Sequence, residues 1–247
     1  MGSYVVLNGL EMYYEVHGVG DALVLCHGGM STIGDFARII QVLATRRQVI
    51  AFERQGHGHT ADIDRPLRFE LMADDTAHLL RHLGIAQSDV FGYSVGGTVA
   101  LELALRHPAL VRKLLLSSAV YSMDGYHPEF REGLKQLTAD ALPAQMREAY
   151  ERVAPHPEQW PRLVAKAAEQ ARSYRGADPD AIRALEVPAL VMVADRDVVR
   201  LEHAQDLARL LRTDLLVLPD SDHASYLQEP YVLLQNITAF LDAPLPA

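Results

Sequence analysis

Ser94 lies in the pentapeptide Gly-Tyr-Ser-Val-Gly and is the side chain of this sequence best suited to nucleophilic chemistry. An apolar run precedes it at 90–91, and a helix-forming stretch follows it at 98–101. This pattern is typical of a nucleophile elbow, a strained turn that raises a serine hydroxyl at the end of a strand. The flanking glycines are needed because side chains there would collide with the neighbouring strand and helix. The pentapeptide also occurs by chance, so a catalytic serine requires a base, an acid and an oxyanion site elsewhere.

The candidates for base and acid follow the last two apolar runs of the chain. In an elbow architecture the order along the chain is serine, then Asp or Glu, then histidine. His223 lies in a polar loop directly beyond the last run, and we expect it to be the base. Asp195 and Asp197 follow the run before it and compete for the acid. Asp222 adjoins His223 in sequence, so we expect its side chain to point away from the imidazole.

The strands and helices that must position these residues are indicated by their hydrophobic patterns. Residues 4–7 and 10–16 are β-rich and flank Asn8-Gly9, which predicts a hairpin. Later apolar runs are continuous, as in strands covered on both faces of a parallel sheet, and they alternate with amphipathic helices. These runs occupy 22–26, 48–52, the segment before Ser94, 111–117, 189–193 and 215–218.

From residue 121 to about 184 the strand signal disappears and helix formers dominate. Open α/β sheets bind ligands at their strand ends, so a helical insertion of this kind is expected to cover that edge. We therefore predict one α/β domain over 1–247, with a helical cap inserted at 121–184.

Five motifs spread over nearly the whole chain give a more specific interpretation. They are His27-Gly28-Gly29, Arg54-Gln55-Gly56-His57-Gly58, the Ser94 elbow with Gly97, Ala194-Asp195-Arg196-Asp197 and Ser221-Asp222-His223. Together they resemble the α/β-hydrolase superfamily, close to its small capped, esterase-like members. The resemblance implies the α/β-hydrolase fold: a mostly parallel twisted sheet flanked by helices, with the cap inserted after the sixth strand.

The resemblance also implies roles for individual residues. The family's acid is usually the last residue of a Gly-x-x-Asp turn, which corresponds to Asp197, with Ala194 in place of the glycine. Asp195 is then expected to pair with a neighbouring arginine. Some family members place the acid after the preceding strand, near Ser118, where the nearest carboxylate is Asp124.

An oxyanion site needs two preorganised N–H donors. Val95 begins a helix, so its N–H has no acceptor within that helix. The helix dipole favours binding of an anion at this end. The resemblance implies that the second donor is the Gly29 N–H, with Met30 lining the mouth of the pocket. Tyr93, Tyr121, Tyr126 and Trp160 are further pocket candidates. Tyr93 has a position that often supports the elbow rather than the substrate. Of the cap residues Tyr121, Met123, Tyr126, His127 and Trp160, at least half are expected to be ordinary packing between cap and core.

Other chemistry-bearing residues have simpler interpretations. His27 is expected to hydrogen-bond its own loop, and Cys26 lies in an apolar strand and is expected in the core. His57 and His59, followed by Asp62 and Asp64, superficially resemble metal ligands, but the Gly-His-Gly context is similar to a structural turn of the α/β-hydrolases. We therefore predict no metal and no cofactor.

Composition limits the class of protein and its partners. The chain has 247 residues, a formal net charge of −9 and a single cysteine. The negative charge argues against nucleic acid or an anionic membrane as the main partner, and no run approaches the roughly 18 apolar residues of a membrane span. The N-terminus lacks a basic region followed by an apolar run. We expect a cytoplasmic monomer or homodimer acting on a small molecule.

Three functions fit these observations. The first is hydrolysis of a carboxylic ester through Ser94, His223 and Asp197, with an acyl-enzyme intermediate. The second keeps the same residues but cleaves a C–C bond, a lactone or an amide, because fold and catalytic residues do not determine the substrate. The third is a non-catalytic ligand-binding or receptor protein with this fold.

Overall fold

The structure, a computed structural model, describes residues 2–245. The strands are β1 (Ser3–Leu7), β2 (Leu10–His17), β3 (Asp21–Cys26), β4 (Arg47–Phe52), β5 (Ser88–Tyr93), β6 (Val111–Ser117), β7 (Ala189–Arg196) and β8 (Leu215–Asp222). The helices are α1 (Ala37–Leu43), α2 (Phe69–His82), α3 (Val95–Arg106), α4 (Pro128–Lys135), α5 (Ala144–Val153), α6 (Trp160–Ser173), α7 (Pro179–Arg183), α8 (Leu201–Leu210), α9 (Ser225–Gln228) and α10 (Tyr231–Asp242).

Within these residues the strands form one eight-stranded sheet in the order β1-β2-β4-β3-β5-β6-β7-β8. Strands β1 and β2 form the hairpin predicted around Asn8-Gly9, and β2 also pairs antiparallel with β4. All other neighbouring strands are parallel. The carboxyl ends of the parallel strands therefore meet at one edge of the sheet, as open α/β sheets require for a binding site.

Each face of the sheet is covered by its own apolar core, because side chains alternate between the two faces. Val24 and Leu114 belong to a core that includes residues of α2, α3 and α8. Leu25 and Leu115, their neighbours in sequence, belong to a second core that includes residues of α1 and α10. Burial of each such side chain contributes about 1.5–3 kcal/mol. The predicted fold, a mostly parallel sheet flanked by helices, is confirmed.

The segment between β6 and β7 forms helices α4 to α7 and short 3₁₀ turns. Trp160 and Leu163 of α6 pack with Phe69 of α2 in a third apolar cluster. Lys166 of α6 donates hydrogen bonds to both carboxylate oxygens of Asp62, whose side chain is 1% exposed. An apolar contact and a buried ion pair therefore join the segment 121–184, hereafter called the cap after its predicted role, to the rest of the fold.

Two element boundaries differ from the sequence prediction. The sequence pattern predicts one helix over about 34–43, whereas the structure has a 3₁₀ turn at Ile33–Phe36 followed by α1. The Thr32 hydroxyl accepts a hydrogen bond from the Gly34 N–H and so caps the tight turn. Strand β8 runs on to Asp222, through the segment predicted as a polar loop. His223 therefore follows the strand directly. Among residues 2–245, no helix combines the length and hydropathy that crossing a membrane requires.

Candidate active site

Ser94 lies between β5 and α3 with φ at 53° and ψ at −122°. A non-glycine residue in this region is strained, and it is held here because its N–H donates to Ser117 O at 2.8 Å. A Cβ on Gly96 would lie 2.0 Å from Cys26 O, and one on Gly92 would lie 2.3 Å from Gly96 O. Only glycines allow this turn to pack so closely, which is the steric reason that the sequence predicted.

His223 follows β8 and faces Ser94 across the edge of the sheet. Its Nε2 lies 2.9 Å from the Ser94 Oγ, and its Nδ1 lies 2.7 Å from Asp197 Oδ1. The Asp197 side chain is fully buried, whereas the imidazole of His223 is 22% exposed. The structure therefore brings the three predicted residues into one hydrogen-bonded row, in which the histidine is more exposed than the carboxylate.

The carboxylate of Asp197 is surrounded by hydrogen-bond donors. Its Oδ1 also accepts from the Val199 N–H at 3.1 Å, and its Oδ2 accepts from the Ala194 N–H at 3.1 Å and from the Ser118 hydroxyl. Burial by itself would raise the pKa of Asp197, but the hydrogen bonds from His223, Ser118 and the Val199 N–H outweigh it and lower the pKa. The carboxylate is therefore ionised at neutral pH.

The sequence did not predict Ser118 or Tyr226 as members of this site. The Ser118 hydroxyl lies 2.6 Å from the Tyr226 hydroxyl, which in turn accepts from the Ser117 hydroxyl at 3.1 Å. Because the Ser118 proton is directed at Asp197, Tyr226 is the donor in their shared hydrogen bond. The position of Ser118 just after β6 was the available signal, since it was recognised as an alternative place for the acid.

Asp195 and Asp222 accept hydrogen bonds from main-chain N–H groups rather than from the imidazole of His223. Asp195 accepts hydrogen bonds from the N–H groups of Asp220 and Ser221, at 2.8 and 2.9 Å. It also lies 3.8 Å from Arg196, the neighbouring arginine with which pairing was expected. Asp222 accepts from the Ala224 and Ser225 N–H groups at the start of α9, so its side chain points away from the imidazole, as predicted.

The predicted oxyanion donors lie side by side next to the serine. A Cβ added to Gly29 would lie 3.1 Å from Val95 Cγ2, and one added to Gly28 would lie 3.7 Å from Ser94 Cβ. Val95 is the first residue of α3, so its N–H has no acceptor within the helix. In the described part of the chain, neither the Gly29 N–H nor the Val95 N–H has another acceptor. Both are free to bind an oxyanion, and that role stays a prediction.

Two of the pocket candidates contact the hydrogen-bonded row itself. The Tyr93 hydroxyl donates to His223 O at 2.6 Å and so holds the main chain of the histidine. Tyr126 is buried in the cap and pairs in an isolated bridge with Val199. Burial and the charge of Asp197 raise the pKa of Tyr126, and a hydrogen bond with Ser94 partly opposes that rise. Tyr126 therefore lies close to the Asp197 carboxylate and the Ser94 hydroxyl.

The other pocket candidates lie further out. Met30 packs against the apolar cluster that contains Trp160, beside Val95. Trp160 is fully buried and packs on Tyr150, with ring centroids 5.3 Å apart. Tyr121 stacks on His203 and donates to Asp206 at 2.5 Å, so its hydroxyl is engaged with α8.

The histidines that resembled metal ligands have partners within the protein. His57 Nδ1 lies 2.9 Å from Gln55 O, and burial lowers the pKa of His57 to about 3. His59 Nδ1 lies 2.9 Å from Glu53, and the Asp62 carboxylate is occupied by Lys166. Over residues 2–245, no three His, Cys, Asp or Glu side chains are grouped so as to hold a metal ion.

Comparison with known proteins agrees with the fold. The sequence matches the alpha/beta hydrolase family over residues 23–235. A putative carbamate hydrolase RutD from Azorhizobium caulinodans is 32% identical over 153 residues, which cover 61% of this chain and 56% of that protein. A 2-hydroxymuconate semialdehyde hydrolase from Pseudomonas sp. strain CF600 is 32% identical over 146 residues, covering 53% and 52%. The chain thus spans little more than half the length of these curated relatives.

Solved structures show the same fold over almost the full chain. The enol-lactonase from Burkholderia xenovorans LB400 has a TM-score of 0.79 at 21% identity, covering 98% of this chain and 100% of that one. A thermophilic esterase from Thermogutta terrifontis has a TM-score of 0.79 at 24% identity, covering 98% of both chains. The family match covers most of the sequence, and the topology and elbow agree with it. The chain belongs to the α/β-hydrolase family.

Proposed function

We propose that this protein is a serine hydrolase that cleaves a carboxylic ester of a small molecule through an acyl-enzyme. The observation that supports this proposal most directly is the row formed by Ser94, His223 and Asp197, with distances of 2.9 and 2.7 Å. A buried carboxylate on one nitrogen of the histidine and a serine hydroxyl on the other are the arrangement that activates a serine nucleophile.

In the proposed reaction, the Ser94 Oγ attacks the ester carbonyl while His223 Nε2 takes the hydroxyl proton. Asp197 keeps the other ring proton on Nδ1 and stabilises the imidazolium. The N–H groups of Gly29 and Val95 bind the oxyanion. His223 then gives its proton to the departing alcohol, and a water molecule, deprotonated by the same imidazole, releases the acid from Ser94.

The surroundings of the nucleophile support an apolar acyl group. Met30 and Val95 belong to the apolar surface under the cap. The Phe130 ring lies 6.4 Å from the imidazole of His223 and packs on Tyr126. Apolar walls with a few convergent polar groups are typical of small-molecule sites.

A second candidate keeps the same residues but cleaves a C–C bond, a lactone or an amide-like bond. It is favoured by the names of two similar proteins, a 2-hydroxymuconate semialdehyde hydrolase and an enol-lactonase. A panel of short esters, lactones, amides, carbamates and diketones separates the candidates. Faster turnover of a diketone or a lactone than of any ester would favour the second.

The role of Ser94 is tested by Ser94→Ala against Ser88→Ala. Ser88 is a matched control because it is a buried serine at the other end of β5, and its hydroxyl has no hydrogen-bond partner in the described chain. Ser94→Ala should lower turnover of a short p-nitrophenyl ester by roughly 10⁴-fold or more and abolish labelling by a fluorophosphonate. Ser88→Ala should change neither. Undiminished hydrolysis or labelling in folded Ser94→Ala contradicts the proposal and would favour another nucleophile. A folded wild-type protein that is neither labelled nor active on any compound of the panel would favour a receptor.

A further inference from the structure

Arg54 is a buried cation in an unusual setting. It is 1% exposed, and its guanidinium donates to two main-chain carbonyls, those of His27 and of Gly28, the latter at 2.7 Å. Over residues 2–245 it forms no ion pair, and its Nε has no acceptor. Burying an unpaired charge is costly. Arg47, at the other end of β4, shows the usual solution, because it pairs with Asp89 and Asp242.

The Gly28 carbonyl receives a second donor from His27. Burial lowers the pKa of His27 well below its usual value, so the imidazole is neutral. The His27 Nε2 accepts a hydrogen bond from the main-chain N–H of Arg54 at 3.3 Å. The single ring proton is therefore on Nδ1, which lies 2.8 Å from Gly28 O. Two donors, the guanidinium and the imidazole, therefore converge on one carbonyl oxygen.

This carbonyl shares its peptide group with the Gly29 N–H. The Gly28–Gly29 peptide is trans and planar, so its C=O and N–H point in opposite directions. With the C=O fixed towards Arg54, the N–H is directed away from Arg54, and Gly29 lies against Val95 next to Ser94. A cation at the oxygen end also draws electron density from the nitrogen and strengthens the N–H as a donor.

We propose that Arg54 is a positioning residue for the oxyanion site, which acts through the Gly28–Gly29 peptide to aim and polarise the Gly29 N–H. This role rests on the proposed function, in which that N–H binds the oxyanion. It assigns a use to a buried charge that has no carboxylate partner among residues 2–245. It also explains why the charge lies at the catalytic end of β4.

The test compares Arg54→Lys, Arg54→Met and the control Arg47→Lys. Lysine keeps the charge but cannot donate to both carbonyls with a planar fork. Arg54→Lys should lower kcat for a short p-nitrophenyl ester roughly tenfold with KM within about twofold, and Arg54→Met should lower it roughly a hundredfold. Arg47→Lys should lower the melting temperature without changing kcat.

A second readout measures the oxyanion itself. A short trifluoromethyl ketone, ¹³C-labelled at its carbonyl, forms a hemiketal with the serine, and the pKa of its oxyanion is read from the ¹³C shift against pH. This pKa should rise by about one unit in Arg54→Lys, matching a tenfold loss of oxyanion stabilisation. It should stay unchanged in Arg47→Lys, because loss of stability alone does not move it.

The proposal is overturned if folded Arg54→Lys keeps the kcat and oxyanion pKa of the wild type, or if Arg47→Lys changes both equally. If neither Arg54 variant folds, the Gly29 amide proton of the wild type decides. It should shift downfield when the ketone adduct forms, and an unmoved resonance overturns the proposal. A wild-type protein that neither hydrolyses the ester nor binds the ketone covalently contradicts the proposed function instead.

Discussion

The Ser118 hydroxyl donates a hydrogen bond to one oxygen of the Asp197 carboxylate, while His223 binds the other. Ser118 follows β6 and has φ at 50°, a conformation that is strained for a serine. The backbone strain is tolerated where the hydroxyl meets a buried charge. Ser118 and Tyr226 together fix the carboxylate from the side away from the imidazole.

Ser118→Ala should therefore lower kcat roughly tenfold, because Asp197 loses a charge-assisted hydrogen bond of about 1.5–3 kcal/mol. Tyr226→Phe should give a smaller loss, since its hydroxyl acts through Ser118. In the double variant, kcat should fall by less than the product of the two single losses, as expected for two members of one hydrogen-bond network. Ester kinetics and melting temperatures of the three variants test this. Ser173→Ala is the control, because Ser173 is a partly buried serine whose hydroxyl bonds only within helix α6. Equal rates for it and Ser118→Ala would contradict the prediction.

Asp197→Asn and Asp195→Asn should separate the two carboxylates that the sequence left in competition. Asp197→Asn should lower kcat about 10⁴-fold, because an amide favours the wrong imidazole tautomer. Asp195→Asn should lower kcat less than about tenfold and mainly reduce stability, because Asp195 holds the N–H groups of β8 through its charge. Kinetics and thermal melts of both variants distinguish these effects. A larger kinetic loss in Asp195→Asn would reverse the assignment.

Lys166→Met should loosen the cap. Asp62 would remain buried with fewer donors, and we expect a loss of about 2 kcal/mol in the free energy of unfolding because Arg162 and Gln55 still contact it. Amide exchange in α6 should become faster. The matched control is Arg172→Met on the same helix, where an exposed pair with Glu169 contributes less than about 1 kcal/mol. Equal effects of the two variants would argue against a stabilising role for the buried Lys166–Asp62 pair.

His203 should make stability depend on pH. Burial lowers the pKa of His203 to about 4, well below the ordinary histidine value of about 6.5. The unfolded chain therefore binds a proton first as the pH falls, and this contribution to stability is present above pH 6.5 and is lost towards pH 4. The loss amounts to about 3 kcal/mol. Unfolding by urea at several pH values should show a shallower slope for His203→Gln, in which the side-chain oxygen can still accept from the Tyr121 N–H. An unchanged slope would show that His203 is not the source.

Local sequence was sufficient where the physical constraint is local. The glycines at 92 and 96 predicted the elbow because close approach excludes any larger residue there. Continuous apolar runs predicted the parallel strands, because burial on both faces leaves no room for alternation. Parallel strands end at one edge, so the residues that follow them were expected to converge. The order of serine, acid and histidine then placed His223 as the partner of Ser94.

Tertiary structure decided which groups meet across long sequence separations. Asp195 and Asp197 have the same chemistry, and only the end of β7 at Arg196 turns one towards β8 and the other towards the imidazole. Ser118 and Tyr226 are 108 residues apart, and no local pattern encodes their contact. Arg54 was visible as a motif residue. Its lack of a carboxylate partner among residues 2–245 and its hydrogen bond to Gly28 O appear only once β3 and β4 lie side by side. Local pattern therefore determined the elements and the nucleophile, and packing determined the groups that surround them.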